Sequence, residues 1–354
     1  MKVDKRKWEK YLLKDLCTKI LAGGDKPQGY TLQRTEVNNI PIYANGIEND
    51  GLFGYCSLAK IKEPCITVSG RGTIGYTALH IHPFTPIVRL IVAIPKDILN
   101  LVFFKYVISN IHFKHSGVAI PQLTVPTFSK YRIWLPPLSE QQAIASELDA
   151  IQDLISKHKE QLKDYDNLAK SIFNEMFGDV ENLKSKNVIA LGKACDLKAG
   201  KGIKASDLKN NSCNGLYPCY GGNGIRGYIN RFSNTEDAPL IGRQGALCGN
   251  INYARGKFYA TEHAVVVTPK IKMNTIWLFY ILKYLNLNKY AHGVAQPGLS
   301  VKDLVDILIP LANIEVQQTF AHRIEAIEKQ KELVKQQITD LQTLFDSRMQ
   351  YYFD

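Results

Sequence analysis

Two stretches of the sequence carry apolar residues in alternating steps of four and three. In the first they fall at Ile144, Leu148, Ile151, Ile155, Leu162, Tyr165, Ala169, Ile172 and Met176, with His158 in the one polar slot. The second repeats the spacing through Phe320, Ile324, Ile327, Val334, Ile338, Leu341 and Phe345, with Lys331 as its polar interruption. Such spacing keeps one stripe of a long helix apolar. A stripe of this kind is usually buried against the helix's own domain. Two of them in one chain can also bury each other, so the pattern predicts an intramolecular antiparallel coiled coil, with the globular unit between the helices allowing the reversal. Ser139 and Glu140, after the Pro136-Pro137 pair, predict the start of the first helix with the serine as its cap. At ~1.5 Å per residue, Ile144 to Met176 is about 48 Å long. His158 and Lys331 are placed to fix the register of the pair.

Outside these stretches the pattern is mixed. Runs rich in β-branched residues, such as Cys65 to Ser69, Ile87 to Ile94 and Ala264 to Thr268, are bounded by Gly and Pro and predict strands. Leu101 to Asn110 and Ile276 to Leu285 predict buried helices. The chain also matches itself. Leu13 and Cys17 correspond to Leu191 and Cys195, and Asn45-Gly46-Ile47 to Asn223-Gly224-Ile225. Gly70-Arg71-Gly72-Thr73-Ile74 aligns with Gly242-Arg243-Gln244-Gly245-Ala246-Leu247 with one insertion. Gly117 to Pro121 aligns with Gly293 to Pro297, and Gln141-Gln142 with Gln317-Gln318. The expected fold class is therefore α+β, with two globular α/β units in a pseudo-two-fold repeat. The expected segments are a first unit at 1–138, a central heptad helix at 139–178, a second unit at 179–312 and a C-terminal heptad helix at 313–354.

Charge follows the same division. Residues 1–138 carry 18 Lys and Arg against 9 acids, and residues 179–312 carry 17 against 9, whereas the helical segments carry 4 against 8 and 5 against 7. Two basic bodies alternate with two mildly acidic helices, which points to a polyanionic partner rather than to solubility alone. The 7 cysteines are odd in number and never spaced two apart, which predicts reduced core thiols and a cytoplasmic address. No run approaches the ~18 apolar residues of a membrane span.

Motifs for catalysis are weak. Gly222-Asn223-Gly224-Ile225-Arg226-Gly227 has the spacing of a dinucleotide-binding turn, but Tyr228 to Ser233 alternates like a strand where a helix is required. Gly200-Lys201-Gly202 lacks the rest of a phosphate-binding loop. Leu135-Pro136-Pro137-Leu138 has neither the polar group nor the aromatic that an adenine methyltransferase needs. The pairs His80/His82 and His112/His115 lack a third ligand nearby, and His263 beside Glu262 has no nucleophile tied to it. No catalytic residue and no metal site are expected in this chain.

Taken together, the pattern resembles the specificity subunit of type I restriction-modification systems, or the closely similar recognition subunit of related systems. The resemblance covers the whole chain. It rests on the repeat, on Gly70 to Gly75 and Gln244 to Leu247, on Thr261-Glu262-His263-Ala264-Val265, on Ala295 to Ser300 and on the Gln-Gln opening each helix. It implies two target recognition domains, each reading one half of a bipartite double-stranded DNA sequence. The helices would separate the halves, about 48 Å matching roughly 14 base pairs, and would dock modification subunits, expected to be two. A restriction subunit would join peripherally. S-adenosylmethionine, and ATP and Mg where a restriction subunit is present, would belong to those partners and not to this chain.

Base readers are sought among Arg against guanine and Asn or Gln against adenine. The candidates are Arg71, Thr73, Arg243 and Gln244 in Gly-rich turns, Asn45, Asn223 and Arg226 in the turns before them, and Gln122 and Gln296 in the Pro-containing loops. Candidate residues for the coiled coil and for partner docking are those of the two stripes. Two other classes stand beside this one. A coiled-coil scaffold would bind nucleic acid or acidic partners without sequence preference, and a self-sufficient nuclease or methyltransferase would need the missing motifs.

Overall fold

The computed structural model describes residues 3–113, 122–180, 187–245, 247–293 and 297–354. The chain forms two compact units, one of residues 1–159 with 336–354 and one of residues 160–335. Each unit therefore takes part of both long helices, Leu138–Phe177 and Ile314–Phe353.

The two units share one topology. In unit 1 a four-stranded sheet orders Cys17–Ala22, Ile91–Pro95, Cys65–Val68 and Thr77–His80, every neighbour antiparallel. A three-stranded sheet orders Leu52–Cys56, Ile40–Tyr43 and Thr85–Pro86, and Glu9–Leu12 pairs with Arg132–Leu135. Unit 2 repeats this order with Cys195–Ala199, Ala264–Pro269, Ala238–Gly242 and Ile251–Ala254 in the larger sheet. Gly224–Ile229, Tyr217–Gly221 and Tyr259–Ala260 form the smaller sheet, and Val188–Ala190 pairs with Leu308–Pro310. The strands Cys65–Val68 and Ala238–Gly242 are buried on both faces, which is why they do not alternate between apolar and charged residues.

The expected strand over Ile87 to Ile94 is shorter than its composition predicts. It begins only at Ile91, because Val88 and Arg89 turn the chain with φ of 51° and 61°. The two short helices are Leu101–Ser109 and Thr275–Tyr284, each capped by an asparagine, Asn100 or Asn274.

A duplicated glutamine fastens each long helix to its unit. Buried Gln141 accepts from Asn100 N (2.8 Å) and donates through Nε2 to the carbonyls of Pro136 (2.9 Å) and Ile98 (3.0 Å). Gln317 accepts from Asn274 N (2.8 Å) and donates to the Ala312 carbonyl (2.8 Å). The Gln-Gln signature thus marks a structural clasp in which an amide side chain serves backbone groups that burial removes from water. The first long helix starts at Leu138, so Ser139 lies inside it, and Asn313 Oδ1 rather than a serine receives Glu315 N (3.0 Å) at the start of the second.

Within unit 1, Glu147 accepts from Arg348 Nε (2.5 Å) and from Tyr352 OH (2.8 Å), while Ile144, Leu148, Met349 and Tyr352 join the domain core. Within unit 2, Asp166 meets Lys331 and, farther along the first helix, Phe173 packs on Phe320 (ring centroids 5.5 Å). Rising numbers on one helix meet falling numbers on the other, so the helices run antiparallel. Ile144, Leu148, Ile151, Ile155, Ile324, Ile327 and Val334 are buried, and Leu162, Tyr165, Ile172, Ile338, Leu341 and Phe345 are half-buried. Phe173, absent from the strict heptad, is fully buried between Phe177, Tyr284 and Phe320. A straight helix drifts by ~20° per heptad, which carries 173 into the seam and turns 172 toward its edge.

Six of the cysteines are buried and free, but Cys213 is exposed, against the expectation of core thiols. Burial pushes the Cys17, Cys65 and Cys195 thiols up to about 12, so they act as apolar packing groups.

Candidate nucleic-acid interface

In unit 1 one asparagine ties three loops together. Asn45 Oδ1 accepts from Gly70 N (2.8 Å) and its Nδ2 donates to the Val88 carbonyl (2.7 Å). The turn that follows is closed by Gly75 N donating to Ser69 O (2.9 Å) and Tyr76 N donating to Thr73 O (3.1 Å). Gly72 at φ 71° supplies the left-handed conformation that the turn requires. Leu123 N donates to Gly70 O (2.8 Å), and Arg71 and Gln122 face each other in an antiparallel bridge. Arg71 and Thr73 are exposed on this frame.

Beside it lies a strained pair that sequence inspection misses. A β-branched residue at positive φ is a backbone outlier. Val88 is held there by donating to Gly24 O (2.8 Å), and Arg89 by donating to Gly23 O (2.9 Å). The turn carries the exposed Arg89 guanidinium to 3.4 Å from Gln122 Oε1. The apolar run 87–94 hid this residue, and only the arginine interrupting it is a signal.

Unit 2 builds the same frame with different side chains. Asn223 Oδ1 accepts from Asn250 Nδ2 (2.6 Å). Gly249 N donates to Gly242 O (2.8 Å), Leu299 N donates to Arg243 O (2.8 Å), and Gln244 and Gly298 form the antiparallel bridge. Gly245 at φ 82° takes the place of Gly72. The backbone therefore corrects the alignment of the two Gly-Arg pairs. Gly242 corresponds to Ser69, Arg243 to Gly70, and Gln244 to Arg71, with the extra residue falling after Gly245. Arg243 is partly buried, and it braces the loop through Nε to the Leu299 carbonyl (3.2 Å) and Nη1 to the Glu262 carbonyl (3.3 Å). Its guanidinium is committed to the protein's own backbone.

Asn223, Arg226, Gln244, Leu247 and His263 line one open depression of unit 2. A Cβ on Gly221 would come 2.4 Å from Arg226 Cδ, so that glycine makes room for the arginine to lie across the strand. Gln244 also borders a second depression with His292 and Ser300. Gln296 lies outside the described residues. The dinucleotide-like glycines 222–227 form a β-hairpin, Tyr217–Gly221 returning as Gly224–Ile229, with no helix N-terminus to receive a pyrophosphate.

The histidines have partners of their own. His80 Nε2 is 2.9 Å from Thr67 Oγ1, His82 Nε2 is 3.1 Å from Tyr43 OH, and His263 Nε2 is 3.2 Å from Glu262 Oε1. Burial, with a smaller contribution from His82, holds His80 down at about 4 and therefore neutral near pH 7. What these loops present outward is a set of hydrogen-bonding side chains on a closely tied backbone, suited to reading base edges rather than to making or breaking bonds.

The buried stripe residues Ile144, Leu148, Ile324 and Ile327 pack into the cores of their units. Apolar side chains that face outward from the long helices include Leu154, Leu168, Leu333 and Leu344. Among the described residues, no helix is long and apolar enough to cross a membrane.

A family model described as the type I restriction modification DNA specificity domain matches residues 5–164 and again residues 184–343. The chain is 46% identical over 128 residues to the type I restriction enzyme EcoprrI specificity subunit of Escherichia coli, a match covering 36% of this chain and 32% of that one. It is 32% identical over 183 residues to a Mycoplasma pneumoniae protein named as a type I specificity subunit, covering 51% and 55%. The match thus spans between about a third and about half of the length of these relatives. Its fold resembles the crystal structure of a type I restriction-modification system S subunit from M. genitalium, with TM-score 0.67, 18% identity and coverage of 99% and 97%. A chain from a study of complex assembly and conformational transition in a type I system superposes with TM-score 0.55 at 17% identity, covering 100% and 99%.

Proposed function

Because the chain belongs to the type I restriction-modification DNA specificity family, its two matched domains spanning most of its length, we propose that it binds a bipartite double-stranded DNA sequence as a non-catalytic specificity subunit. Each unit reads one half-site. The long helices supply the spacer and dock two modification subunits, which transfer a methyl group from S-adenosylmethionine to adenine, and a restriction subunit with ATP and Mg completes the cleaving form. A cytoplasmic address suits such an assembly.

The observation that carries this reading is the repetition of one tied loop frame with unlike exposed side chains, Arg71 in one unit and Gln244 in the other. A frame that repeats holds position, and side chains that differ select different bases.

Reconstitution tests it. The chain alone is expected to transfer no methyl group from labelled S-adenosylmethionine. With its cognate modification subunits it directs methylation to one motif of two parts separated by a fixed number of unspecified base pairs. Methyl transfer by the modification subunits irrespective of this chain, or binding of duplex without preference, would instead make it a scaffold.

A further inference from the structure

We infer that Arg71 and Gln244 are equivalent base-reading residues, so that the half-site read by unit 1 contains a G·C pair where the half-site read by unit 2 contains an A·T pair. This inference rests on the DNA-reading function proposed above and adds to it the position and the base.

Three backbone features give the equivalence, the first of them seen both as a bridge and as the bond that makes it. Arg71 is bridged to Gln122 as Gln244 is to Gly298. The carbonyl just before each, Gly70 O or Arg243 O, accepts from the leucine that follows the bridged residue, Leu123 or Leu299, at 2.8 Å in both units. The residue just after each is a glycine in left-handed conformation, Gly72 at 71° and Gly245 at 82°. The turn closes onto Ser69 O in one unit and Gly242 O in the other. These bonds place the two Cα positions at the same point of the repeated frame, although the letters Gly-Arg would pair Arg71 with Arg243.

Chemistry separates the three candidates. Arg243 has its donors engaged by the Leu299 and Glu262 carbonyls, so it supports the loop. Arg71 and Gln244 are exposed, and among the described residues neither side chain has a hydrogen-bond partner. A guanidinium offers two parallel donors that match the O6 and N7 acceptors of guanine. A carboxamide offers one donor and one acceptor, which match adenine N7 and N6. The same frame thus presents two different base-edge codes. The tied backbone is what a bidentate contact needs, since it fixes the direction of the side chain with little loss of freedom on binding.

Selection of bound duplexes from a randomised pool tests this with the full chain in complex with its modification subunits. The wild-type complex is expected to select a two-part motif, with guanine at one position of one half and adenine at the corresponding position of the other. Arg71→Gln should change that guanine to adenine and leave the second half unchanged. Gln244→Arg should do the converse, each preference shifting by about 5- to 150-fold. Arg71→Lys keeps a donor for guanine and should retain it. The half that is not substituted reports whether the variant is folded. If the wild type selects no two-part motif, the proposed function itself fails. If it selects one and the exchanges leave both halves unchanged, this inference is overturned. A uniform loss of affinity, with the salt slope reduced by about one and the motif intact, also overturns it, by making Arg71 a phosphate contact.

Discussion

Lys331 Nζ donates to Asp166 Oδ1 at 2.8 Å across the two long helices in unit 2, and to Glu328 Oε1 at 2.9 Å on its own helix. The lysine occupies the polar slot of the second apolar stripe and is only 12% exposed, whereas Asp166 is half in water. Burial alone would lower its pKa, yet the bonds to Asp166 and Glu328 raise it, so it stays charged. A charge held in an apolar seam by a partner on the facing helix selects one register among those that the apolar residues would allow. Lys331→Ala is expected to cost about 1–2 kcal/mol in urea unfolding. Lys331→Met should cost less than about 1 kcal/mol, because it refills the volume and the carboxylates can return to solvent. A Met variant as damaging as the Ala variant would show that the ion pair itself, and not the packing of the stem, carries the stability.

Gln141 in unit 1 and Gln317 in unit 2 each clasp one long helix to its own unit. Replacing either with Leu leaves an asparagine N–H and one or more carbonyls buried without partners, at a cost of about 1–3 kcal/mol. Glutamate at these positions loses the Nε2 donor and should be as damaging. Exposed Gln142 and Gln318, the second members of each pair, should be replaceable with less than about 0.5 kcal/mol change.

Acid should weaken unit 1 through His80. Its imidazole titrates near 6.5 in the unfolded chain and at about 4 when buried against Tyr43 and Phe84, with Asp50 slightly opposing the shift. Between those values the unfolded state binds the extra proton. The contribution of His80 is therefore fully present above pH 6.5, falls as pH drops toward 4 and, from this group, changes no further below it, by on the order of 3 kcal/mol. Thermal melts across this range should show the loss in wild type and a flatter profile in His80→Gln.

Phe173→Ala should cost about 3–5 kcal/mol, because the ring is surrounded by Phe177, Tyr284 and Phe320. Ile172→Ala, at the edge of the seam, should cost less. The reverse order in denaturant melts would place the seam on the strict heptad.

Much of this architecture is legible in the sequence because repetition and periodicity survive without three-dimensional information. The stripes identify both long helices, with the Pro-Pro and Ser-Glu signals marking the start of the first, and the ordered self-matches reveal the shared topology. What is not legible depends on backbone bonding. The dipeptide Gly-Arg occurs in both turns, yet Leu123 and Leu299 bond to different members of it, so Arg71 pairs with Gln244. Val88 and Arg89 lie in an apolar run that reads as strand, yet they donate to the Gly24 and Gly23 carbonyls, and with the bond from Asn45 to the Val88 carbonyl these hold them in a turn. The choice of Phe173 over Ile172 reflects the difference between 3.5 and 3.6 residues per turn, which accumulates along a straight helix. Asn45 looks like a base reader by residue type, but its amide is spent on Gly70 and Val88.

In the proposed function this chain chooses where a partner methylates DNA. Methylome sequencing of a strain carrying the gene and of one lacking it tests that most directly. The expected result is a single adenine-methylated motif, made of two unlike specific parts separated by a fixed gap, that disappears with the gene and returns with its restoration. An unchanged methylome, or loss of a motif with only one undivided part, would contradict it.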